Sequence, residues 1–192
     1  MKRAAIKHSK LIVEILSKAF KDNNSVRFVV KQDASRQRRI SRLMEYSLKM
    51  CTAFGEVWLS DDEKSCALIL LPDKKKTTIK TILWDLKLAF SVIGLSRVFS
   101  VLKREALVKK DHPKIPFCYL WFIGVEPEHQ GKGIGSSLLK SIVERFDLVN
   151  RPIYLETSVE ANLSWYKHFG FGLFNELAIS YKLYMLRRPV VK

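Results

Sequence analysis

The sequence predicts an α/β fold in which helices flank a mixed central sheet. Three observations predict it. Phe117-Cys118-Tyr119-Leu120-Trp121-Phe122-Ile123-Gly124-Val125 is an unbroken apolar and aromatic run, followed by three glycines at alternate positions and then a helical pattern. Before it, apolar residues recur mainly at helical spacing, interrupted by one pair of alternating segments. After it, strand patterns return around a short helix. The order is helices, a hairpin, helices, then βαβαββ. At 192 residues this is enough for one domain with a sizeable core, and a single domain over 1–192 is expected.

Taken in order, residues 9–21 place Leu11, Ile12, Ile15, Leu16, Ala19 and Phe20 on one helix face, and Asp22-Asn23-Asn24-Ser25 breaks that helix. Val26–Val30 fits either a helical turn or a strand. Residues 35–53 form a second amphipathic helix, with Ile40, Leu43, Met44, Leu48 and Cys51 inward and the arginines outward. Gly55 ends it. Glu56–Ser60 and Ser65–Leu71 are strands about the acidic turn 61–64. Residues 77–110 are a helical insertion before the main strand, two helices broken near Gly94, with Trp84, Leu88 and Phe90 in the first and Val98, Phe99, Leu102 and Leu107 in the second. The insertion is either a lid or wall on the substrate side of the sheet or a plain packing element.

Asp111-His112-Pro113-Lys114-Ile115-Pro116 makes a rigid loop. The main strand follows, expected to be buried on both faces, and Pro127 stops it. From Ile134 to Leu148 a helix buries Leu138, Leu139, Ile142, Val143 and Phe146. Arg151–Thr157 is a strand, 162–169 a short helix, and Phe171–Asn175 and Leu177–Arg187 are strands. Residues 187–192 are expected to fray.

Composition narrows the function. Hydrophobic residues make up 47% of the chain, so it is not a disordered composition. No apolar run reaches the roughly 18–20 residues of a membrane span, and no membrane partner is expected. The start Met1-Lys2-Arg3-Ala4-Ala5-Ile6-Lys7-His8 lacks the apolar region of a secretory signal. Cys51, Cys66 and Cys118 have no paired spacing and read as small buried residues, which together with the missing signal points to the cytoplasm. Net charge is +15, and residues 1–55 supply +9 of it, as 13 Lys/Arg against 4 Asp/Glu. Arg36, Arg38, Arg39 and Arg42 cluster there. They fit either an acidic partner or the solvated face of a helix. Aromatics do not interleave with them, which disfavours a nucleic-acid platform. There is no Ser/His/Asp arrangement and no metal-ligand spacing among the four histidines.

The glycine loop has a chemical use. Backbone N–H groups in the first helical turn lack intrahelical partners and sit at the positive end of the helix dipole. Glycines before them let the backbone come close to a ligand, which makes a seat for phosphate. The dinucleotide pattern G-x-G-x-x-G fails because Ser136 stands where glycine is needed, and G-x-x-x-x-G-K-[ST] is absent. What remains is Gln130-x-x-Gly133-x-Gly135, opening a helix directly after a strand. A tight connection that binds nothing is the plain alternative. In this context the pattern resembles the acetyl-CoA pyrophosphate loop of the GNAT superfamily of N-acetyltransferases.

Residues 153–172 strengthen that resemblance. Leu155-Glu156-Thr157-Ser158, Asn162, Tyr166 and Gly170-Phe171 are similar to the second GNAT motif, L-E-x-S-x-x-x-N-x-x-x-Y-x-x-x-G-F, with Phe169 where many relatives carry leucine. The resemblance covers roughly 116–176. It implies acetyl-CoA as co-substrate, held by the backbone of Ile123, Gly124 and Val125, by the loop Gln130, Gly131, Lys132, Gly133, Ile134, Gly135 and Ser136, and by Asn162. It implies Tyr166 near the thioester sulfur as acid and Glu156 as base, acting directly or through water. Spacing puts Asn162 and Tyr166 on one helix face; read by themselves they are equally a capping asparagine and a packed tyrosine. Glu156 is alternatively a structural carboxylate. His112 and Glu126 are reserves as base, and the Val125 N–H is suited to an oxyanion.

The expected activity is transfer of acetyl from acetyl-CoA to a primary amine of a small molecule or peptide, by direct attack in a ternary complex. The rival is a CoA-binding sensor or nucleic-acid-associated module without catalysis. A homodimer is left open, as is the acceptor.

Overall fold

The computed structural model describes residues 1–190. Seven strands form one mixed sheet, in the order β1-β2-β3-β4-β5-β7-β6. The chain enters with β1 (Lys2–Arg3), a short edge strand that no sequence pattern announces, paired with β2 (Gly55–Leu59). Between them lie α1 (Ser9–Ala19), α2 (Asn24–Val29) and α3 (Arg36–Phe54). The ambiguous segment 26–30 is helix for all but its last residue. Asn23 starts α2 by accepting from the N–H groups of Ser25 and Val26 at 3.0 and 3.2 Å, and a cap of that kind decides the matter for a helix.

After β2 come β3 (Ser65–Leu70), α4 (Ile79–Leu88), a widened turn over Ala89–Ile93, and α5 (Val98–Lys110). The break falls at Gly94, whose φ of 81° suits glycine. β4 (Cys118–Val125), α6 (Ile134–Leu148), β5 (Ile153–Thr157), α7 (Asn162–His168), β6 (Gly172–Ala178) and β7 (Lys182–Arg188) complete the order. The last two strands start and end later than the sequence pattern suggests, with the turn at 179–181. Arg187 and Arg188 belong to β7 rather than to a frayed tail. Arg188 is buried and bonds Asp147 and the Phe169 carbonyl. Residues 191–192 lie outside the described residues.

Two apolar layers sandwich the sheet. On one face α1, α2 and α3 pack with Phe122, Cys66 and Leu68. On the other α6 and α7 pack with Cys118, Leu120, Ala67 and Ile69. The switch of faces along β4 comes from a bulge. Leu68 pairs with Phe122 but Ile69 pairs with Leu120, so Trp121 is the extra residue. Leu120 therefore enters the α6 layer, while Trp121 and Phe122 both pack towards α1–α3. Contrary to the sequence reading, β4 is not buried on both faces. Tyr119, Trp121, Ile123 and Val125 are half-buried, and β4 and β5 pair only through Cys118↔Ile153 and Tyr119↔Tyr154 before they diverge.

All three cysteines are free and buried. Of the four clustered arginines, Arg39 forms a two-pronged pair with Asp33 at 3.0 and 2.8 Å, and Arg36 bonds the Lys21 carbonyl. Arg38 reaches the Ser35 hydroxyl at 3.2 Å, so three of the four bond within the chain.

Candidate functional site

The divergence of β4 from β5 opens a cleft of about 830 Å³. Ten of the eleven residues singled out for the co-substrate line it: Ile123, Gly124 and Val125 of β4, Gln130, Gly131, Gly133, Ile134, Gly135 and Ser136 of the loop and helix start, and Asn162 of α7. Lys132 does not. Its Nζ turns back to the Glu128 carbonyl at 3.1 Å.

The loop has the geometry its glycines suggest. Gly131 and Gly133 have φ of 76° and 79°, and no neighbour lies within 4 Å of where a Cβ would sit, so they are needed for backbone conformation rather than for room. Gly135 is needed for room. A Cβ there would lie 3.0 Å from Val125 Cγ2, so glycine lets the start of α6 settle on β4. The first helical donor that finds a carbonyl is the Ser137 N–H, to Gly133 O at 2.9 Å. The N–H groups of Ile134, Gly135 and Ser136 precede it and face the cleft end of the helix. The Gln130 side chain donates to Val125 O at 3.2 Å and ties the loop to the strand. The Ser136 hydroxyl accepts from Trp165 Nε1 at 2.9 Å, so α7 braces the helix start.

β4 offers its free edge to the same cleft. The Glu126 N–H bonds Lys64 O on the β3 side. Alternation along the strand then turns the backbone groups of Gly124 to that side, and those of Ile123 and Val125 towards the cleft. Gly124 faces α1 with its missing side chain, where a Cβ would come within 3.0 Å of Leu16.

Sequence reasoning missed the opposite wall. It comes from the end of α1 and the turn after it, Lys18 to Asn23. Lys18 and Lys21 were visible as cations, but nothing in the spacing brings residue 20 beside residue 130. Trp165 and Val159 were also missed.

The two residues expected to move protons sit on different faces of the sheet. Tyr166 belongs to the α6 layer, packed on Trp165 and Phe171 at ring distances of 4.7 and 5.5 Å, and is 6% exposed. Burial pushes its phenol well above the usual range. Asn162, one turn earlier, reaches the cleft. Ala161 rather than Asn162 occupies the cap of α7.

Glu156, near the end of β5, is nearly enclosed on the other face. It accepts from the Tyr119 hydroxyl, and His112 Nε2 stands 3.2 Å from its other oxygen. Burial, with Glu156 and Glu105 nearby, holds the Tyr119 phenol far above its ordinary value. The reserve residue His112 therefore joins the first candidate, brought by the loop after α5. Tyr119 completes the group and was not singled out from sequence, where it reads as one more strand aromatic. Glu126 lies elsewhere, among Lys18, Lys64 and His129 at 3.6, 3.4 and 3.5 Å. Partial burial raises its carboxyl, but those cations outweigh that and lower it. It reads as an ion-paired carboxylate. Among the described residues no group of histidines, cysteines and acids could hold a metal ion.

The aromatic row continues from Tyr119 to Trp121 and on to Tyr46 of α3, at ring distances of 6.3 and 6.2 Å. Tyr46 donates to Asp85 of α4 at 2.6 Å, so the insertion borders this face.

A family model for the GNAT acetyltransferase domain matches residues 93–172. An uncharacterised N-acetyltransferase of Schizosaccharomyces pombe is 34% identical over 96 residues, 46% of this chain and 38% of that protein, so the match spans well under half of that relative's length. Among solved structures, a histone acetyltransferase HPA2 and related acetyltransferase from Corynebacterium glutamicum superposes with a TM-score of 0.69 at 18% identity, over 100% of this chain and 96% of that one. Arylalkylamine N-acetyltransferase 2 from Aedes aegypti gives 0.68 at 16%, over 99% and 98%. At such identities these two speak for the fold.

Proposed function

We propose that the chain is an acetyltransferase of the GNAT superfamily, whose domain model matches residues 93–172, and that it transfers acetyl from acetyl-CoA to a primary amine of a small molecule or peptide, by direct attack in a ternary complex. The observation that carries this reading is the free set of backbone donors at Ile134, Gly135 and Ser136, at the mouth of a cleft that runs along the open edge of β4.

The residues fit the co-substrate. Loop amides and the dipole of α6 receive the pyrophosphate. The backbone of Ile123 and Val125 pairs with the pantetheine arm in the manner of an added strand, and Asn162 supplies a side-chain amide. Lys132 contributes charge near the mouth without lining it.

The acceptor must arrive as, or become, a free amine, since an ammonium of pKa near 10 leaves on the order of one part in a thousand neutral at pH 7. Glu156 takes that proton, with His112 beside it and Tyr119 fixing its orientation. The amine nitrogen bonds to the carbonyl carbon and an oxyanion forms, which the Val125 N–H stabilises. The C–S bond then breaks, the thiolate takes its proton from Tyr166, and the proton that the new amide nitrogen sheds returns to the phenolate through solvent. A phenol held above its usual pKa still carries that proton at neutral pH.

In this reading the two halves of the chemistry meet where β4 and β5 part, Tyr166 from one face of the sheet and Glu156 from the other, although neither side chain lines the cleft itself. Thermal unfolding with and without acetyl-CoA tests the premise, because a ligand that binds only the native state raises the melting temperature. An unchanged melting temperature at millimolar acetyl-CoA rejects it.

A further inference from the structure

The helical insertion carries its apolar residues on the wrong side for a packing element. Along α4 and the turn after it, Ile79, Leu83, Leu86 and Phe90 are exposed and recur at helical spacing. Leu95 and Phe99 continue that pattern ahead of and into α5. Ile79 is 80% and Phe99 78% exposed. The residues that face inward, such as Val92, Val101 and Val108, are a separate set. Nine of the fifteen large exposed apolar residues among the described residues fall between 79 and 107, a concentration that single scattered surface residues do not explain.

Charge says what covers this face. Residues 74–110 hold ten Lys/Arg against two Asp/Glu, a net +8 of the chain's +15. Both acids are committed within the chain, Asp85 to Tyr46 and Glu105 to Arg104. Arg97 bonds the carbonyls of Phe28 and Val30, and Arg104 is buried. That leaves eight exposed lysines, including the run Lys74, Lys75 and Lys76. A second copy on this face would set +8 against +8. A nucleic acid would match the charge and leave the apolar stripe wet.

We propose that the insertion docks this protein on an anionic lipid surface, with the α4–α5 apolar stripe in the acyl boundary and the lysines at the headgroups. The association is peripheral, since no helix among the described residues is long and apolar enough to cross a membrane. It departs from the expectation from sequence that no membrane is involved, which rested on spanning length alone. Because Asp85 of α4 meets Tyr46 beside Trp121, a docked insertion brings the lipid surface close to the sheet face that carries Tyr119 and Glu156.

Vesicle flotation of the full chain tests this without reference to acetyl transfer. The chain is expected to float with phosphatidylcholine vesicles containing phosphatidylglycerol and to stay behind with phosphatidylcholine alone. Ile79→Ser combined with Phe99→Ser removes two exposed side chains and leaves the melting curve in place, while partitioning falls at least about tenfold. Lys74→Gln, Lys75→Gln and Lys76→Gln together give a similar loss. No flotation with the anionic vesicles overturns the proposal. So does flotation indifferent to the Ile79/Phe99 change, which would reduce it to charge alone. Retention on polyglutamate without vesicle binding would assign the face to an acidic protein instead. A dimer in sedimentation that the Ile79/Phe99 change dissolves would assign it to a second copy.

Discussion

His112 Nε2 stands 3.2 Å from Glu156 Oε1, while the Tyr119 hydroxyl donates to the other oxygen of the same carboxylate. The histidine comes from a loop, the glutamate from β5 and the tyrosine from β4, at the point where those two strands part. A buried carboxylate with both oxygens engaged is held in one orientation, which is what a base needs and what a structural carboxylate also shows. Kinetics separates the two. Glu156→Gln keeps the shape and the Tyr119 contact but cannot take a proton, so kcat should fall by about 10²–10⁴ with the melting temperature little changed. His112→Ala should cost less, about tenfold. Wild-type turnover in Glu156→Gln, measured as CoA release over a panel of amines, would leave Glu156 a structural role only.

Tyr166→Phe removes one oxygen from a side chain whose ring stays packed on Trp165 and Phe171. If the phenol protonates the leaving thiolate, kcat should drop about 10², the low end for an acid, because a thiolate of reference pKa near 8.5 is already a fair leaving group. The raised pKa gives a second reading. A group held protonated to high pH produces no falling limb in kcat below about pH 10, so wild-type kcat should not decline there through loss of this proton. Equal turnover of wild type and Tyr166→Phe would remove Tyr166 from the chemistry.

Residues 117–148 were legible in the sequence because their signals are local. Strand, turn and helix follow one another, and Gly131 and Gly133 are explained by the backbone of the turn they make. Asn162 and Glu156 were legible through a second short motif. What was not legible depended on the sheet. Trp121 becomes a bulge only because β3 slips by one residue against β4, and nothing along β4 alone marks it. Lys18 to Asn23 face the glycine loop because α1 crosses the sheet beside β4. Tyr119 reads as one more strand aromatic, and only the pairing of β4 with β5 sets its hydroxyl against Glu156. Arg188 looked like tail until Asp147, on α6, was found opposite it at 2.5 Å.

The two kinds of glycine in the loop predict two kinds of failure. Gly133→Ala meets no atom but must hold φ near 79°, which costs roughly 1–2 kcal/mol for a residue with a Cβ. Gly135→Ala has an ordinary φ but presses on Val125 Cγ2 at 3.0 Å, an overpacking cost of about 1–3 kcal/mol. Chemical denaturation distinguishes them through a double-mutant cycle. Adding Val125→Ala should recover part of the loss in Gly135→Ala and none of it in Gly133→Ala. Both single changes should weaken acetyl-CoA binding, since each displaces backbone donors. Additive losses in both pairs would mean that the Gly135 contact is relieved some other way.

Glu56 predicts an acid-dependent part of stability. It is buried in β2, and burial by itself would raise its carboxyl. The two-pronged bond to Arg145 at 2.6 and 2.6 Å, the Trp58 indole at 2.9 Å and Arg3 at 3.2 Å outweigh burial and hold the carboxyl below its ordinary value. A carboxylate whose pKa is depressed on folding contributes stability that is fully present above its unfolded pKa and is lost as pH falls through the folded one. Glu56→Gln should therefore lower the melting temperature most above about pH 5, by an amount equivalent to about 1–2 kcal/mol once the partial exposure of Arg145 is allowed for. Below about pH 4 the gap between the two proteins should narrow, because wild type is losing the same charge. A gap that stays constant from pH 7 to pH 3 would mean that Glu56 matters through packing and hydrogen-bond shape, with its charge contributing nothing.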